Sequence, residues 1–190
     1  MKKVIFGIAA LLALASPALA NQYESAMRSY FEGNVSQWAT DPILVAAIKK
    51  QNFETSAFDQ AEIDTLDARW RSGLFANDEP LIEGVLTNAA SDFLRDQVAQ
   101  SGGAITEAFV MDAKGLNVAA SDATSDYWQG DEAKFQQTYL VGANAVHYGD
   151  VELDESTGAV QAQISMTIVD SETGYVVGAI TVGVNLSALQ

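Results

Sequence analysis

The sequence predicts an α+β fold, with helices in its first half and antiparallel strands in its second. Up to residue 101, apolar residues recur at the three- and four-residue spacing of amphipathic helices. From residue 105 onward, short β-type runs are joined by connections that begin with aspartate and end with glycine, as in hairpins. We therefore expect one domain over residues 21–190, with a helical part over residues 23–101 and a sheet part over residues 105–189.

Residues 1–20 have the features of a secretory signal peptide. Lys2 and Lys3 precede an apolar run, and Ala18-Leu19-Ala20 supplies a small-residue cleavage site. The apolar run is shorter than the roughly 20 residues that a membrane-spanning helix needs. We expect cleavage after Ala20 and a periplasmic location; an uncleaved N-terminal anchor is the alternative.

Composition excludes several kinds of site and partner. The chain has no cysteine, so disulfides, a lipoprotein anchor and thiolate metal sites are excluded. Its formal net charge is −15, and such an acidic surface repels nucleic acid and anionic lipid. Neither nucleic-acid binding nor membrane insertion is therefore expected.

Four helices are predicted in the first half. Aspartate side chains cap the free N–H groups at a helix start, and proline suits the first helical position. Asp59 and Glu62 have the spacing of a capping box, in which each side chain bonds the other residue's N–H group. The helices are expected to begin at Tyr23, Pro42, Asp59 and Asp78-Pro80, with Gly73 ending the third and Gly102-Gly103 ending the fourth.

Five strands are predicted, over residues 105–112, 116–121, 145–153, 159–169 and 175–186. The connections at 112–115, 154–158 and 170–174 each offer an aspartate that can bond its own turn and a glycine for positive φ. In the last two strands one parity is apolar, as at Ile164 and Ile180, whereas the other is small and polar, as at Ser165 and Thr181. The apolar face is expected to pack on the helices, and the polar face to be solvated or to form the floor of a cavity.

A polar, aromatic segment separates the second and third strands. Residues 124–139, TSDYWQGDEAKFQQTY, are called the insertion below. A long insertion in an antiparallel sheet is typical of a lid or a binding loop. The candidate ligand-binding residues in and after it are Tyr127, Trp128, Asp131, Lys134, Tyr139, His147 and Asp170. Each has a structural alternative: aromatic packing onto the sheet, surface ion pairs, a strand histidine, or turn formation by Asp170.

The segments FVMDAKGLNVAASD, SDYWQGDEAKFQQTY and ISMTIVDSETGYVVGAITVGVNL make residues 41–189 resemble Cache sensor domains, the PAS-like extracytoplasmic folds also called PDC domains. The resemblance implies an antiparallel sheet whose first and last strands are central, with a small ligand between the sheet and the insertion. It also implies ligand contacts from Tyr127, Trp128, Tyr139 and Asp170. Amino-acid-binding members carry an arginine in the insertion, where this chain has only Lys134.

The predicted function is that of a stand-alone periplasmic small-molecule-binding protein of the sensor type. Its expected partners are a small organic ligand (amino acid, carboxylate or amine), a membrane sensor protein, and a second copy through the first helix. A ligand-free structural or interaction module is the alternative.

No cofactor or metal is predicted. Asp150, Glu152 and Asp154 share one strand parity, but a solvated edge explains them better than calcium. An enzyme is not expected, because the chain has one histidine, no cysteine and no nucleophile or phosphate-loop motif.

Overall fold

The structure, a computed structural model, describes residues 17–75, 79–153 and 160–189. Most of the predicted signal peptide, Asp78 and the predicted turn at residues 154–158 lie outside the described residues. The helices are α1 (Pro17–Gly33), α2 (Pro42–Thr55), α3 (Gln60–Gly73), α4 (Pro80–Leu86), α5 (Ala89–Gln100) and α6 (Ala133–Gln136). Among the described residues, no helix combines the length and the apolar character that a membrane span requires.

Helices α2 and α3 begin at the predicted capping residues, whereas α1 begins at Pro17, before the predicted Tyr23, and α4 is capped by Glu79. The Asp41 side chain accepts a hydrogen bond from the Ile43 N–H at 2.9 Å, and Asp59 and Glu62 form the predicted capping box. The predicted fourth helix is instead two helices, α4 and α5. The Asn88 side chain accepts from the Ser91 N–H at 3.0 Å and donates to the Val85 carbonyl at 2.9 Å, so it closes α4 and caps α5.

The strands form one antiparallel sheet in the order β2-β1-β6-β5-β3, with β4 also paired to β5. Their bounds are β1 (Ile105–Met111), β2 (Asn117–Ala120), β3 (Val146–Tyr148), β4 (Glu152–Leu153), β5 (Val160–Val169) and β6 (Val176–Asn185). The first and last strands are central, as the resemblance implied.

The predicted third strand is divided into β3 and β4. Tyr148 lies opposite Ile164, whereas Glu152 lies opposite Gln161. Between these two pairs, four residue steps from β3 to β4 face three residue steps on β5. The extra residue forms a bulge that interrupts the pairing. Strands β3 and β4 both pair with β5 at the edge of the sheet, which is therefore five strands wide.

Two of the three predicted turns lie within the described residues, and both have the expected chemistry. Asp112 accepts hydrogen bonds from the N–H groups of Lys114 and Leu116 at 2.8 and 2.9 Å, and Gly115 has φ of 81°. Asp170 accepts from the Glu172 N–H at 3.0 Å, and Gly174 has φ of 73°. Aspartate thus shapes each turn and glycine supplies its left-handed residue.

Two apolar clusters cover opposite faces of the sheet. The helix-side cluster joins α1, α2 and α5 to the apolar parity of β5 and β6; its buried members include Met27, Leu44, Ile48, Leu94, Ile164, Ile180 and Val182. This confirms the predicted packing of the apolar face on the helices. The insertion-side cluster joins α3 and the insertion to the other face; it includes Trp70, Phe109, Met111, Tyr127, Phe135 and Ala179.

Candidate functional site

The start of the insertion is tied to α3. The Asp67 carboxylate accepts hydrogen bonds from the backbone N–H groups of Tyr127 and Trp128, at 2.9 and 3.1 Å. The indole N–H of Trp70 donates to the Thr124 carbonyl at 2.8 Å. Asp67 and Trp70 lie one helical turn apart, so one face of α3 holds the insertion at two points.

Tyr127 is buried under this attachment. Its ring stacks on that of Trp70, with centroids 5.5 Å apart. Burial is the main cause that raises the pKa of Tyr127 above its ordinary value, and the negative charges of Asp112 and Glu54 act in the same direction. The Tyr127 side chain borders a separate cleft of about 560 Å³ between α2 and α4.

Trp128 packs the insertion against the β1–β2 turn. Its indole N–H donates to the Lys114 carbonyl at 2.9 Å, and its backbone forms a β-bridge with Leu116. The side chain is half-buried. These contacts pack Trp128 onto the fold, and its contact with a ligand stays a prediction.

The middle of the insertion lies on the sheet through α6. Phe135 is buried and stacks on Tyr139, with ring centroids 4.9 Å apart. Burial raises the pKa of Tyr139. Phe135 and Tyr139 pack against the insertion-side cluster, so side chains fill the space under this part of the insertion.

Beneath the insertion, the polar parity of the strands forms a continuous row across the sheet. The hydroxyl groups of Ser165 and Thr181 are buried and hydrogen-bonded at 2.9 Å. His147 pairs with Ser165 on one side, and Phe109 pairs with Thr181 on the other. Directly paired residues share a face, so half-buried His147 belongs to the polar row.

A cavity of about 290 Å³ remains beside α6, over the next rows of the polar face. It is lined by Thr106, Glu107, Glu132, Lys134, Gly149, Asp150, Glu152, Gln161, Ala162, Gln163 and Gly183. Gln161, Gln163 and Gly183 belong to the polar parity that the sequence predicted as a cavity floor. The bulge between β3 and β4 supplies the wall that includes Asp150.

The cavity is strongly acidic. Four carboxylates line it, and Lys134 is the one cation among the described lining residues. Lys134 forms an ion pair with Glu132 at 3.1 Å, and Glu107 accepts a hydrogen bond from the Gln163 amide at 2.9 Å. No group of three or more metal-ligating side chains in the described ranges is arranged to hold a metal ion.

Asp170 and Asp131 do not line this cavity. Asp170 accepts hydrogen bonds from the Lys49 ammonium at 2.7 Å and from the Glu172 N–H and Thr173 hydroxyl. The Lys49 bond is the main cause that lowers the pKa of Asp170, and it raises the pKa of Lys49. The pair borders a cleft of about 450 Å³ beside α2. Asp131 is exposed.

Of the seven candidate residues, the structure places Lys134 on the acidic cavity and distributes the others over the neighbouring parts of the fold. Glu107 and Gln163 line the cavity but were not among the candidate residues. The alternation of faces along β5 could have identified Gln163 as a cavity residue. Glu107 reaches the cavity only because β1 pairs with β6, which places Glu107 opposite Gly183.

Solved sensor domains are among the structures that this chain resembles. The V. cholerae histidine kinase DctB sensor domain is 16% identical, with a TM-score of 0.45; the match covers 90% of this chain. The ligand-binding domain of the Pseudomonas aeruginosa amino acid chemoreceptor PctC, solved with GABA, is 14% identical, with a TM-score of 0.42; the match also covers 90% of this chain.

The E. coli DcuS sensor domain is 12% identical, with a TM-score of 0.43; the match covers 90% of this chain and 92% of that domain. The chain spans only 58% and 60% of the DctB and PctC domains. With TM-scores of 0.42 to 0.45, these matches are likenesses alone. No family profile and no curated protein matches the sequence.

Proposed function

We propose that the protein is a small-molecule-binding protein of the sensor type that acts in the periplasm after removal of its signal peptide. Its ligand occupies the acidic cavity between α6 and the polar face of the sheet. The observation that carries the proposal is this hollow of about 290 Å³, which the packed insertion leaves open on one side. Its volume is close to the lower end of the range for small-molecule pockets, about 300 Å³.

The ligand class that the lining favours is a small organic amine. Four carboxylates surround the cavity, and its one lysine already pairs with Glu132. A simple carboxylate would meet like charges, whereas an ammonium group would offset them and find charge-assisted hydrogen bonds. Among amino acids, carboxylates and amines, we therefore rank amines first.

Thermal denaturation of the mature protein, residues 21–190, tests this ranking with three probes of one chain length: n-butylamine, 4-aminobutyrate and butyrate. Butylamine is expected to raise the melting temperature most and butyrate least. A ligand at 100 times its Kd stabilises the folded state by about 2.7 kcal/mol. No shift with any of a broad panel of amines, or an equal shift with butyrate, would contradict the proposal.

Matched variants locate the site. Glu107→Gln removes a carboxylate from the cavity lining and is expected to reduce the butylamine shift. Asp96→Asn makes the same charge change at an exposed position of α5, on the other side of the sheet, and is expected to leave the shift unchanged. Equal effects of the two variants would mean that net charge, not the cavity, governs the response.

The proposal includes two protein partners. The ligand-loaded form docks on a membrane sensor protein, and a second copy pairs through α1, whose Met27 and Phe31 are already buried in the helix-side cluster of their own chain. Recovery from membrane extracts with and without butylamine tests the first, and equal recovery counts against it. Sedimentation at several concentrations tests the second. A protein that binds no ligand but recovers a partner would be the structural module instead.

A further inference from the structure

Lys134 occupies a defined cage at the edge of the acidic cavity. Its ammonium nitrogen lies 5.4 Å from the centroid of the Phe109 ring. It also lies 3.2 Å from the Gln129 Oε1 atom and 3.1 Å from the Glu132 Oε2 atom. Phe109 and Gln129 are buried, and the Lys134 side chain is only 15% exposed.

These three groups are a set that binds ammonium ions. An aromatic face attracts a cation through its quadrupole, most strongly where water is excluded. An amide oxygen and a carboxylate then accept its N–H groups, and the carboxylate supplies the counter-charge. The Glu132 side chain is 40% exposed, whereas the Gln129 Oε1 atom belongs to a buried residue and takes a hydrogen bond from the cation in the cage, so an empty cage would cost that bond.

The cage adjoins the proposed ligand cavity, because its carboxylate residue, Glu132, and its occupant, Lys134, both line that cavity. A second ammonium in the cavity would therefore face Lys134 across the same carboxylates. Two cations cannot share one aromatic face and one counter-ion without mutual repulsion. The alternatives are that the ligand stays outside the cage or that it displaces the lysine.

We infer that Lys134 is an internal stand-in for the ligand, and that the ammonium of a bound amine displaces the Lys134 ammonium from the cage of Phe109, Gln129 and Glu132. The exchange keeps the cage neutral, because one cation replaces another. This inference rests on the proposed function and identifies Lys134 as the specificity-determining residue of that site.

Displacement also gives binding a structural consequence. Lys134 is part of α6, and its ammonium is one of the contacts that hold α6 to Phe109 on the sheet. Once displaced, the side chain turns toward the other cavity carboxylates or toward solvent. The insertion then differs between the empty and loaded protein at a surface that a partner can contact.

The test compares n-butylamine binding by calorimetry in the wild type and three variants. Lys134→Met removes the competing ammonium and keeps most of the apolar stem of the side chain. Because butylamine then no longer competes with a lysine for the Glu132 carboxylate, the affinity of this variant for butylamine is expected to rise about tenfold or more. Lys134→Arg keeps a cation in the cage and is expected to bind no more tightly than the wild type. Lys50→Met makes the same charge change at a position of α2 outside the cavity lining, and is expected to change nothing.

A second pair of variants keeps the test valid if Lys134→Met does not fold. Glu132→Gln removes the carboxylate of the cage and is expected to weaken butylamine binding about tenfold. Asp131→Asn removes the neighbouring exposed charge and is expected to have little effect. Equal losses in the two variants would overturn the cage.

The outcomes separate the inference from the proposed function. Wild-type binding of butylamine together with unchanged or weaker binding by Lys134→Met overturns the stand-in role, and leaves the amine site intact. Tighter binding of butyrate by the wild type than by Lys134→Met would show that the lysine holds a ligand carboxylate. Absence of amine binding in the wild type and in every variant overturns both.

Discussion

The Asp67 carboxylate accepts a hydrogen bond from the backbone N–H of Tyr127 at 2.9 Å, across 60 residues of sequence. The same oxygen accepts from Trp128, so one buried side chain of α3 satisfies two donors of the insertion. This contact fixes the path of the chain in the insertion after β2. Its loss would leave two backbone N–H groups without a hydrogen-bond partner.

Asp67→Ala is therefore expected to destabilise the protein by about 1–3 kcal/mol, the cost of leaving a buried polar group unpaired. Urea denaturation measures this change, and hydrogen exchange at residues 124–130 should accelerate. Asp64→Ala, at an exposed position of the same helix, is the control, with an effect within about 0.5 kcal/mol. Equal losses in the two variants would show that the attachment does not hold the insertion.

Phe135 is the residue that packs α6 onto the sheet. Phe135→Ala removes a buried ring that stacks on Tyr139, and is expected to cost about 3–5 kcal/mol. Leu140→Ala, 64% exposed in the same part of the chain, is expected to change stability by less than about 0.5 kcal/mol. If the two variants unfold at the same urea concentration, the insertion does not pack as described.

Gly178 lies where β6 passes under α2 and beside β1. A Cβ atom there would overlap the Met111 carbonyl oxygen and lie 3.0 Å from the Ile48 Cγ2 atom. Gly178→Ala is expected to cost about 3 kcal/mol, because backbone and a buried side chain would have to shift. Gly84→Ala in α4 meets no atom within 4 Å and is expected to stabilise the helix by about 0.5–1 kcal/mol. Thermal denaturation distinguishes these opposite signs.

The Asp170–Lys49 pair predicts a dependence of stability on pH. The pKa of Asp170 is lowered in the folded state, so its stabilising contribution is complete above the ordinary aspartate pKa, about 3.9. It is lost as the pH falls through the lower folded-state value. The melting temperature of Asp170→Asn should therefore lie a few degrees below that of the wild type from pH 7 to about 5, and the gap should close below about pH 4.

Asp96→Asn, exposed on α5, is the control for this titration and should follow the wild type throughout. A gap between wild type and Asp170→Asn that widens toward acid would contradict the depressed pKa, because it would mean that protonation favours the folded state.

The local chemistry of the chain could be predicted from its sequence. The turns at Asp112–Gly115 and Asp170–Gly174 depend on residues close together in the chain, and so do the Asp59–Glu62 capping box and the alternation of faces in β5 and β6. Each interaction closes within a few residues, so spacing alone identifies it. The strand order required the resemblance, because pairing of the first and last strands leaves no local pattern.

Contacts between distant segments could not be predicted. Asp67 meets Tyr127, and Trp70 meets Thr124, only once α3 and the insertion are both in place. The aromatic residues of the insertion were predicted to contact a ligand; the structure shows the packing contacts that they make, and ligand contact stays a prediction. The division between α4 and α5 depends on Asn88, whose capping role competes with the uninterrupted apolar stripe around it.

The two apolar clusters lie on opposite faces of the sheet, so the molecule has two hydrophobic cores separated by the sheet. The interior under the insertion is assembled from short segments joined by surface loops, whereas the one on the helix side contains the long β5–β6 hairpin. Partial melting should therefore begin on the insertion side and spare the hairpin. Under the proposed function, the side of the sheet assigned to the ligand can rearrange while the other side keeps its shape.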